Sequence, residues 1–169
     1  MKPLRLILLS SFLTIAFIYA VTYTACKKDA CNNVVCLNKG TCNGGKCTCP
    51  VGYEGSRCDT LSRDKFVFIY SGGDSCGTGR VYTQYQIHLL AVPANPFQLT
   101  MKNFINNPDD SALCTIQSTD SFTFIGANNS TVYSGWGKLS HDSLWMTYSV
   151  EHDTISYTCH YFGQSLRVK

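Results

Sequence analysis

Charge is scarce in this sequence. Only 15% of the 169 residues are charged, and the formal net charge is +3. Of the 14 Lys and Arg residues, Lys2 and Arg5 stand at the extreme N-terminus, so the remaining 12 nearly balance the 11 acidic residues. No basic stripe is left to neutralise phosphate groups, and nucleic acid is therefore not expected as a partner. The sequence has no acidic tail either.

The sequence gives little sign of hydrolase chemistry. It contains no H-E-x-x-H pair. Gly73-Asp74-Ser75-Cys76-Gly77 matches the letters of G-x-S-x-G, but a nucleophile elbow joins a strand to a helix, and no helix is predicted after this segment. The pairs His141-Asp142 and His152-Asp153 fall where hairpin tips are expected, and polar residues belong at such tips in any case. The remaining histidines are His88 and His160. We predict a non-catalytic protein without a cofactor. Acid–base pairs that folding brings together remain open as an alternative.

Cysteine, in contrast, is abundant. Ten cysteines in a chain of this length are typical of an oxidising compartment outside the cytosol. Zinc binding is the alternative, but zinc sites usually combine short cysteine pairs, a longer spacer and nearby histidines. Here the cysteines follow one another evenly, and no histidine precedes His88. We therefore predict an exported protein with disulfide bonds and no metal.

The N-terminus has the layout of an export signal. A short basic segment, "MKPLR", precedes an apolar run of about sixteen residues, and small residues lead up to Cys26. The Ala25-Cys26 step resembles the lipobox of bacterial lipoproteins. In that family a diacylglycerol thioether forms on the cysteine and the chain is cut just before it. The resemblance implies a signal peptide over residues 1–25 and a lipid on Cys26 that holds the protein at a membrane. An uncleaved helical anchor or an ordinary signal peptide are the alternatives.

Residues 26–30 form the predicted lipidated N-terminus and linker. The "KKDA" that follows Cys26 resembles a signal for display on the outer face of some Gram-negative bacteria. The resemblance implies a lipid-anchored protein at the cell surface, on the outer membrane. The alternative is a solvated linker.

Six cysteines crowd the next thirty residues. They are Cys31, Cys36, Cys42, Cys47, Cys49 and Cys58. Six cysteines permit many pairings, and their spacing alone does not choose among them. The segments "NKGTC" at 38–42 and "CTCPVGYEGSRC" at 47–58 resemble an EGF-like domain of the tenascin type, here over residues 31–58. The resemblance implies the pairs Cys31–Cys42, Cys36–Cys47 and Cys49–Cys58.

A segment this short needs covalent support. Below about 40 residues a chain rarely buries enough apolar surface to fold alone. Three closed loops of about ten residues each would remove about 8 kcal/mol of unfolded-state freedom in the chain-entropy model. Gly44-Gly45 is predicted as a hairpin turn that needs positive φ. Calcium is not expected, because Asp29 is the only acidic residue before Cys31, the first cysteine of this segment, and the loop after Cys42 is short.

The sequence pattern of residues 61–169 predicts an all-β domain. Short runs alternate between apolar and polar residues and are separated by turn signals, and no run reads as a helix. The predicted strands are 65–70, 80–91, 97–105, 112–117, 121–126, 131–140, 143–150 and 154–162. Short connections indicate an antiparallel meander of about eight strands, closed as a barrel or folded as a sandwich. "FVFIYSGGDSC", "GWGKLSHDSLWMTYSV" and "TISYTCHY" resemble the lipocalin-like β-domains that follow an EGF module in some bacterial surface lipoproteins.

The alternation also predicts which residues face the core. They are Phe66, Phe68, Val81, Tyr85, Ile87, Leu99, Met101, Ile116, Phe122, Phe124, Leu144, Met146, Tyr148, Ile155 and Tyr157. In a closed meander the first and last strands are neighbours, so Cys76, placed in a loop after the first strand, is predicted to bridge Cys159. Cys114 is predicted to be a buried free thiol. A bond between Cys114 and an unlipidated Cys26 is the alternative.

The predicted function is binding or adhesion at the cell surface. An EGF-like stalk presents the β-domain, and Tyr82, Gln84 and Gln86 are the predicted binding surface for an unidentified protein or glycan. An ordinary solvated strand face is the alternative for these three residues. A carrier with a small-molecule or lipid cavity inside the barrel is the second hypothesis, although bulky inward residues favour a filled core. An enzyme is the third.

Overall fold

The computed structural model describes residues 14, 15, 17, 19, 30–77, 79 and 81–166, without the side chains of residues 82 and 83. The predicted signal-peptide cleavage and the lipidation at Cys26 therefore lie outside the described residues. Within the described part of the chain, no helix is both long enough and apolar enough to cross a membrane.

The cysteine-rich segment begins with a small hairpin. Strands β1 (Thr41–Asn43) and β2 (Lys46–Thr48) are antiparallel and are joined by Gly44 and Gly45. Both glycines have positive φ, +56° and +84°, as a two-residue hairpin turn requires. The predicted turn is confirmed. A second pair, β3 (Tyr53–Glu54) and β4 (Thr60–Leu61), follows it.

Three disulfides hold this segment, which we call the disulfide module (residues 30–61). The bonds are Cys31–Cys42, Cys36–Cys47 and Cys49–Cys58, the pairing that the EGF-like resemblance implied. Apart from the cysteines, the segment has little to pack against: between residues 30 and 60 only Gly52 and Cys58 are buried. The disulfides therefore set its shape.

A short 3-10 helix, Ser62–Lys65, links the module to eight longer strands. These are β5 (Ile69–Cys76), β6 (Val81–Ala91), β7 (Gln98–Lys102), β8 (Ser111–Ile116), β9 (Ser121–Asn128), β10 (Thr131–Ser140), β11 (Ser143–His152) and β12 (Ile155–Ser165). Each pairs antiparallel with the next along the chain, and β12 pairs with β5 to close the barrel. The all-β prediction is confirmed, and of its two forms the closed barrel is found.

The barrel has two ends, which we name by the disulfide module. At the module end lie the start of β5 and the β6–β7, β8–β9 and β10–β11 connections. At the far end lie the other four hairpin connections. A second 3-10 helix, Phe104–Asn106, stands in the β7–β8 connection at the far end. The chain enters β5 from the module, and the contacts seen between the two parts lie at the module end.

Bulky side chains fill the barrel. Eleven predicted core residues are buried: Phe66, Tyr85, Ile87, Leu99, Met101, Ile116, Phe122, Phe124, Leu144, Met146 and Tyr148. Two more, Phe68 and Tyr157, are partly buried against them. The core also contains Tyr70, Leu89, Phe104, Tyr133, Leu139, Val150 and Tyr161. Phe66 enters from the module end and packs edge-on against Phe122, while Phe104 enters from the far end and packs against Phe124.

The first barrel strand differs from its prediction. It begins at Ile69, four residues later than predicted, and continues through the glycines to Cys76. The segment "SGGDSC" is therefore strand and not a loop. Closure of the barrel explains the difference, because β12 on one side and β6 on the other supply hydrogen bonds that a glycine-rich segment needs to stay extended.

Two predicted core residues face solvent instead. On β5, Gly72 pairs with Tyr85 and Asp74 pairs with Tyr82, so β6 carries one extra residue between these pairs. This bulge reverses the alternation, and Val81 becomes 63% exposed. Ile155 is 60% exposed for another reason. It stands at the tip of the β11–β12 hairpin, which extends beyond the last paired residue of β5.

The fourth disulfide lies on the closing strand pair. Cys76 and Cys159 are register partners and are bonded, as predicted. The bond closes a loop with a sequence separation of 83, equivalent to about 4 to 5 kcal/mol in the chain-entropy model. Cys114 is a buried free thiol, also as predicted, and burial raises its pKa to about 12. At neutral pH it is therefore an unreactive small side chain.

Candidate binding site on the outer wall

An aromatic groove runs across the outside of the barrel over β10, β11, β12 and β5. Its volume is about 570 Å³. The described residues that line it are Gly73, Asp74, Ser75, Val81, Trp136, Trp145, Met146, Thr147, His160, Tyr161 and Phe162. The floor of the groove is formed by three buried residues, Asp74, Met146 and Tyr161. The exposed lining residues form its walls.

Strand alternation places three aromatic side chains in this groove. Leu144 and Met146 point into the barrel, so Trp145 between them points out. Trp136 stands between two glycines of β10, and Phe162 follows the buried Tyr161. The three rings are half exposed, at 49% for Trp136, 51% for Trp145 and 41% for Phe162. Large apolar side chains that remain accessible in one cluster commonly mark a recognition site.

The aromatic residues support one another across the strands. Trp145 and Phe162 are register partners, and their ring centroids are 4.3 Å apart at a tilt of 48°. Trp136 pairs with Thr147, so it is a diagonal neighbour of Trp145 on the same face. Each strand contributes one anchor from a regular backbone, and such anchors are positioned more firmly than those on a loop.

Polar groups lie beside the rings. One row of register partners runs from Trp136 through Thr147 and His160 to Ser75, and then to Val81. Thr147 Oγ1 and His160 Nδ1 are 3.1 Å apart and form a hydrogen bond. His160 and Ser75 are exposed. The groove therefore combines apolar ring faces with hydroxyl and imidazole groups that a ligand can reach.

The predicted binding surface lies next to this groove but does not line it. Gln84 and Gln86 are exposed on β6, and the side chain of Tyr82 lies outside the described residues. Of β6, only Val81 is among the described lining residues. A signal for the groove was available in the sequence. Trp145 lies out of phase with residues predicted to be inward, and a large aromatic residue on the outward phase of a strand is a candidate for recognition.

Inside the barrel, Asp74 forms a polar cluster with tyrosines. It is 2% exposed, and the hydroxyl of Tyr85 donates a hydrogen bond to its Oδ2. Burial raises the pKa of the Asp74 carboxyl, and hydrogen bonds from Tyr85 and Tyr148 oppose that rise. Burial and the neighbouring carboxyl also raise the pKa of the Tyr85 and Tyr161 hydroxyls. Tyr161 donates its own hydrogen bond to the carbonyl of Tyr70.

A second buried carboxyl, Asp110, lies towards the far end. Asn128 Nδ2 donates to its Oδ1, and the hydroxyl of Tyr133 donates to its Oδ2 over 3.2 Å. Burial, with Asp110 as the next cause, raises the pKa of Tyr133 to about 12. Each of the two buried carboxyls thus accepts a hydrogen bond from at least one protein side chain, as buried polar groups usually do.

The His152-Asp153 pair has a threonine beside it. Thr131 Oγ1 lies 2.8 Å from His152 Nδ1, and His152 Nε2 lies 3.4 Å from Asp153 Oδ2. The order hydroxyl, imidazole, carboxylate is that of a catalytic triad. However, these three residues lie at an exposed hairpin end, where the His152 and Asp153 side chains are 48% and 71% accessible. Water weakens and screens such contacts, so we assign no catalysis to them.

The disulfide module packs against the module end of the barrel. Tyr53 meets Phe97 edge to face at 5.7 Å, and Gly52 lies against the same ring where no side chain would fit. Lys65 Nζ lies 2.6 Å from Glu54 Oε2. Arg63 Nη1 donates over 2.6 Å to the carbonyl of Val92 in the β6–β7 connection. These contacts hold the module against the end of the barrel, away from the aromatic groove.

No family model matches this sequence, and no curated protein matches it either. In the part of the chain that the structure describes, no three His, Cys, Asp or Glu side chains stand close enough together to hold a metal ion. The functional proposal below therefore rests on the groove and on the residue patterns.

Proposed function

We propose that this chain is a non-catalytic binding or adhesion protein, anchored by a lipid on Cys26 to the outer membrane of a Gram-negative bacterium and exposed at the cell surface. Residues 31–58 serve as an EGF-like stalk, and the β-domain is a lipocalin-like barrel that carries the binding surface. The disulfide pairing and the closed eight-stranded meander support these two family assignments.

The observation that carries the proposal is the aromatic groove. Trp136, Trp145 and Phe162 remain half exposed, although the same barrel buries most of its other large aromatic side chains. Leaving three rings accessible on neighbouring strands has no evident benefit for stability. Tryptophan and other aromatic residues are enriched among the residues that dominate binding energy. We therefore assign recognition to the groove.

The placement of the disulfide module suits display. The module follows the predicted lipid site directly in sequence, and its described contacts with the barrel lie at the module end. An anchor on Cys26 would thus hold that end towards the membrane. The groove lies on the side wall, and the far end faces outward. A ligand on another surface could reach the groove without displacing the stalk.

The carrier hypothesis receives less support. An eight-stranded barrel has room either for packed side chains or for one small ligand. Here Phe66 and Phe104 enter the barrel from its two ends, and the residues between them, such as Phe122 and Tyr148, are buried. A ligand would have to displace several of these rings.

Adhesion of cells that display the full chain tests the proposal. The surfaces would carry a mucin glycoprotein, a matrix protein without glycans, or a purified neutral polysaccharide. We expect adhesion to at least one surface, and we expect Trp136→Ala combined with Trp145→Ala to abolish it. Ile125→Ala is the matched control, because Ile125 is 60% exposed on the same outer wall but outside the groove. Adhesion no greater than that of cells without the protein, or equal adhesion by the groove variant, would contradict the proposal.

Anchoring has a separate test. The Cys26→Ser replacement removes the sulfur on which the thioether forms. Metabolic labelling with a radioactive fatty acid should mark the unaltered protein and leave the variant unmarked. Label that persists on the variant would contradict lipidation at this residue.

A further inference from the structure

We infer that the aromatic groove binds uncharged pyranose rings of a glycan. This inference rests on the proposed function and names its ligand class. The faces of pyranose rings carry C–H groups and their edges carry hydroxyl groups. The groove presents matching features on adjacent strands: the rings of Trp136, Trp145 and Phe162, and beside them Thr147 and His160.

The charge of the groove favours an uncharged ligand. Its described lining residues include no Lys and no Arg, so none of them offers an anionic ligand a partner of fixed positive charge. The only carboxyl among them belongs to Asp74, which is 2% exposed and hydrogen-bonded to Tyr85 inside the barrel. None of the described lining residues therefore offers a cationic ligand an accessible carboxylate. What remains is recognition through ring faces and neutral hydrogen bonds.

The size of the groove favours a small ligand over a protein surface. Eleven described residues line it, whereas a stable protein–protein interface takes about 20 to 30 residues from each side. Its volume of about 570 Å³ lies inside the range of about 300 to 1,000 Å³ that is usual for small-molecule sites. A short stretch of a glycan chain fits this scale.

The composition of the walls disfavours an acyl chain. Sites for wholly apolar ligands are enclosed, because burial away from water is their driving force. Here the aromatic rings are half exposed, and the row of Thr147, His160 and Ser75 crosses the centre of the groove. An acyl chain along this row would cover hydroxyl and imidazole groups without offering them any hydrogen bond. Sugar hydroxyls would pair with them instead.

The chain supplies its own reporter for this site. It contains two tryptophans, Trp136 and Trp145, and both line the groove. Intrinsic tryptophan fluorescence therefore reports on the groove alone. The full chain, in detergent, would be titrated with hexasaccharides of glucose, mannose, xylose and N-acetylglucosamine.

We expect at least one of these neutral hexasaccharides to shift or quench the fluorescence in a saturable way. Phe162→Ala keeps both reporters and removes the ring that packs against Trp145, so it should weaken binding about tenfold. Ile125→Ala should bind as the unaltered protein does. A heparin-derived hexasaccharide of similar length serves as the anionic comparison and should bind more weakly than the best neutral ligand.

Three outcomes would overturn the inference. They are no fluorescence change with any neutral hexasaccharide up to about 10 mM, tighter binding of the heparin hexasaccharide, and binding that Phe162→Ala leaves unchanged. The adhesion experiment separates this failure from failure of the proposed function. Groove-dependent adhesion to the matrix protein without glycans would leave the binding function standing and exclude the glycan. Absence of adhesion to every surface would remove both.

Discussion

The disulfide module and the barrel reach a defined shape by opposite means. Between residues 30 and 60 only Gly52 and Cys58 are buried, and three disulfides within thirty residues restrict the chain. The barrel has one disulfide among its described residues, and its interior is filled by more than twenty buried apolar side chains. The module therefore depends on covalent bonds, whereas the barrel depends on burial.

The two parts are therefore destabilised by different changes. Loss of a disulfide enlarges the unfolded ensemble of the module, which has no core to compensate. Loss of a core ring leaves a cavity in the barrel, whose neighbours relax only in part. The following four predictions test the contrast, from the largest expected effect to the smallest.

Removal of all three module disulfides should unfold the module and spare the barrel. Replacing its six cysteines by Ser removes about 8 kcal/mol of chain-entropy stabilisation, more than so small a unit can lose. Amide hydrogen exchange should show loss of protection at β1 and β2 and retention at β10 and β11. If the module amides stayed protected, packing and not covalent closure would hold the module.

A cavity in the core should destabilise the barrel alone. Phe104 is fully buried and contacts the rings of Phe124, Tyr133 and Tyr148, so Phe104→Ala should cost about 3 to 5 kcal/mol. Urea unfolding followed by near-ultraviolet circular dichroism measures the loss. Leu90→Ala, at a residue 42% exposed on the outer wall, is the control and should change stability little. An equal loss in both variants would contradict the role given to the filled core.

Replacement of Asp74 should change how barrel stability depends on pH. The pKa of this carboxyl is raised in the folded state, chiefly by burial. Its contribution is therefore fully present below the unfolded value of about 3.8 and is lost as pH rises through the folded pKa. Asp74→Asn removes that loss, so the variant's stability should fall less between acidic and neutral pH.

Urea unfolding at several pH values would measure this effect. Asp120→Asn is the comparison variant, because the contribution of Asp120 to stability should change with pH in the opposite direction. The hydroxyl of Ser118, with Lys138 also contributing, lowers the pKa of this exposed carboxyl, so its small contribution is present at neutral pH and is lost on acidification. Identical pH profiles for the unaltered protein and Asp74→Asn would show that Asp74 is not the group responsible.

The ion pair between the module and the linking 3-10 helix should contribute least. Lys65 and Glu54 are 2.6 Å apart, but their side chains keep 31% and 27% exposure. A double-mutant cycle with Lys65→Met and Glu54→Gln should give a coupling of about 0.2 to 1 kcal/mol that weakens at high salt. A coupling near zero would leave the contact of Tyr53 with Phe97 as the main link between module and barrel.

Strand positions followed from the sequence where alternation was regular. The prediction for residues 131–140 matches β10 at both ends, because "TVYSGWGKLS" has clear turn signals on either side. The turn at Gly44 and Gly45 followed from the need for positive φ. The bulge in β6 did not follow, since nothing in "RVYTQYQ" marks an extra residue. Only pairing with β5 reveals it, and regular alternation therefore predicts the wrong face for Val81.

Strand alternation alone does not predict the groove. Alternation indicates that Trp145 points outward, but it does not indicate which residues lie beside it on other strands. Phe162 and Trp145 stand on consecutive strands and become neighbours through the exact register of β11 with β12. Ser75 joins them only because the barrel closes. Which outward side chains become neighbours depends on how the strands are aligned in the barrel. No local pattern in the sequence indicates that alignment.

Closure of the barrel also constrains the order in which it folds. The hydroxyl of Tyr161 donates to the carbonyl of Tyr70, 91 residues away, on the seam between the last strand and the first. Hairpins such as β10–β11 join residues that are close in sequence, so they form at a small loop-closure cost, whereas the seam requires nearly the whole barrel to be in place. Cys76 and Cys159 face each other on that seam. Their bond is thus expected to form late and then to slow the reopening of the barrel along this seam.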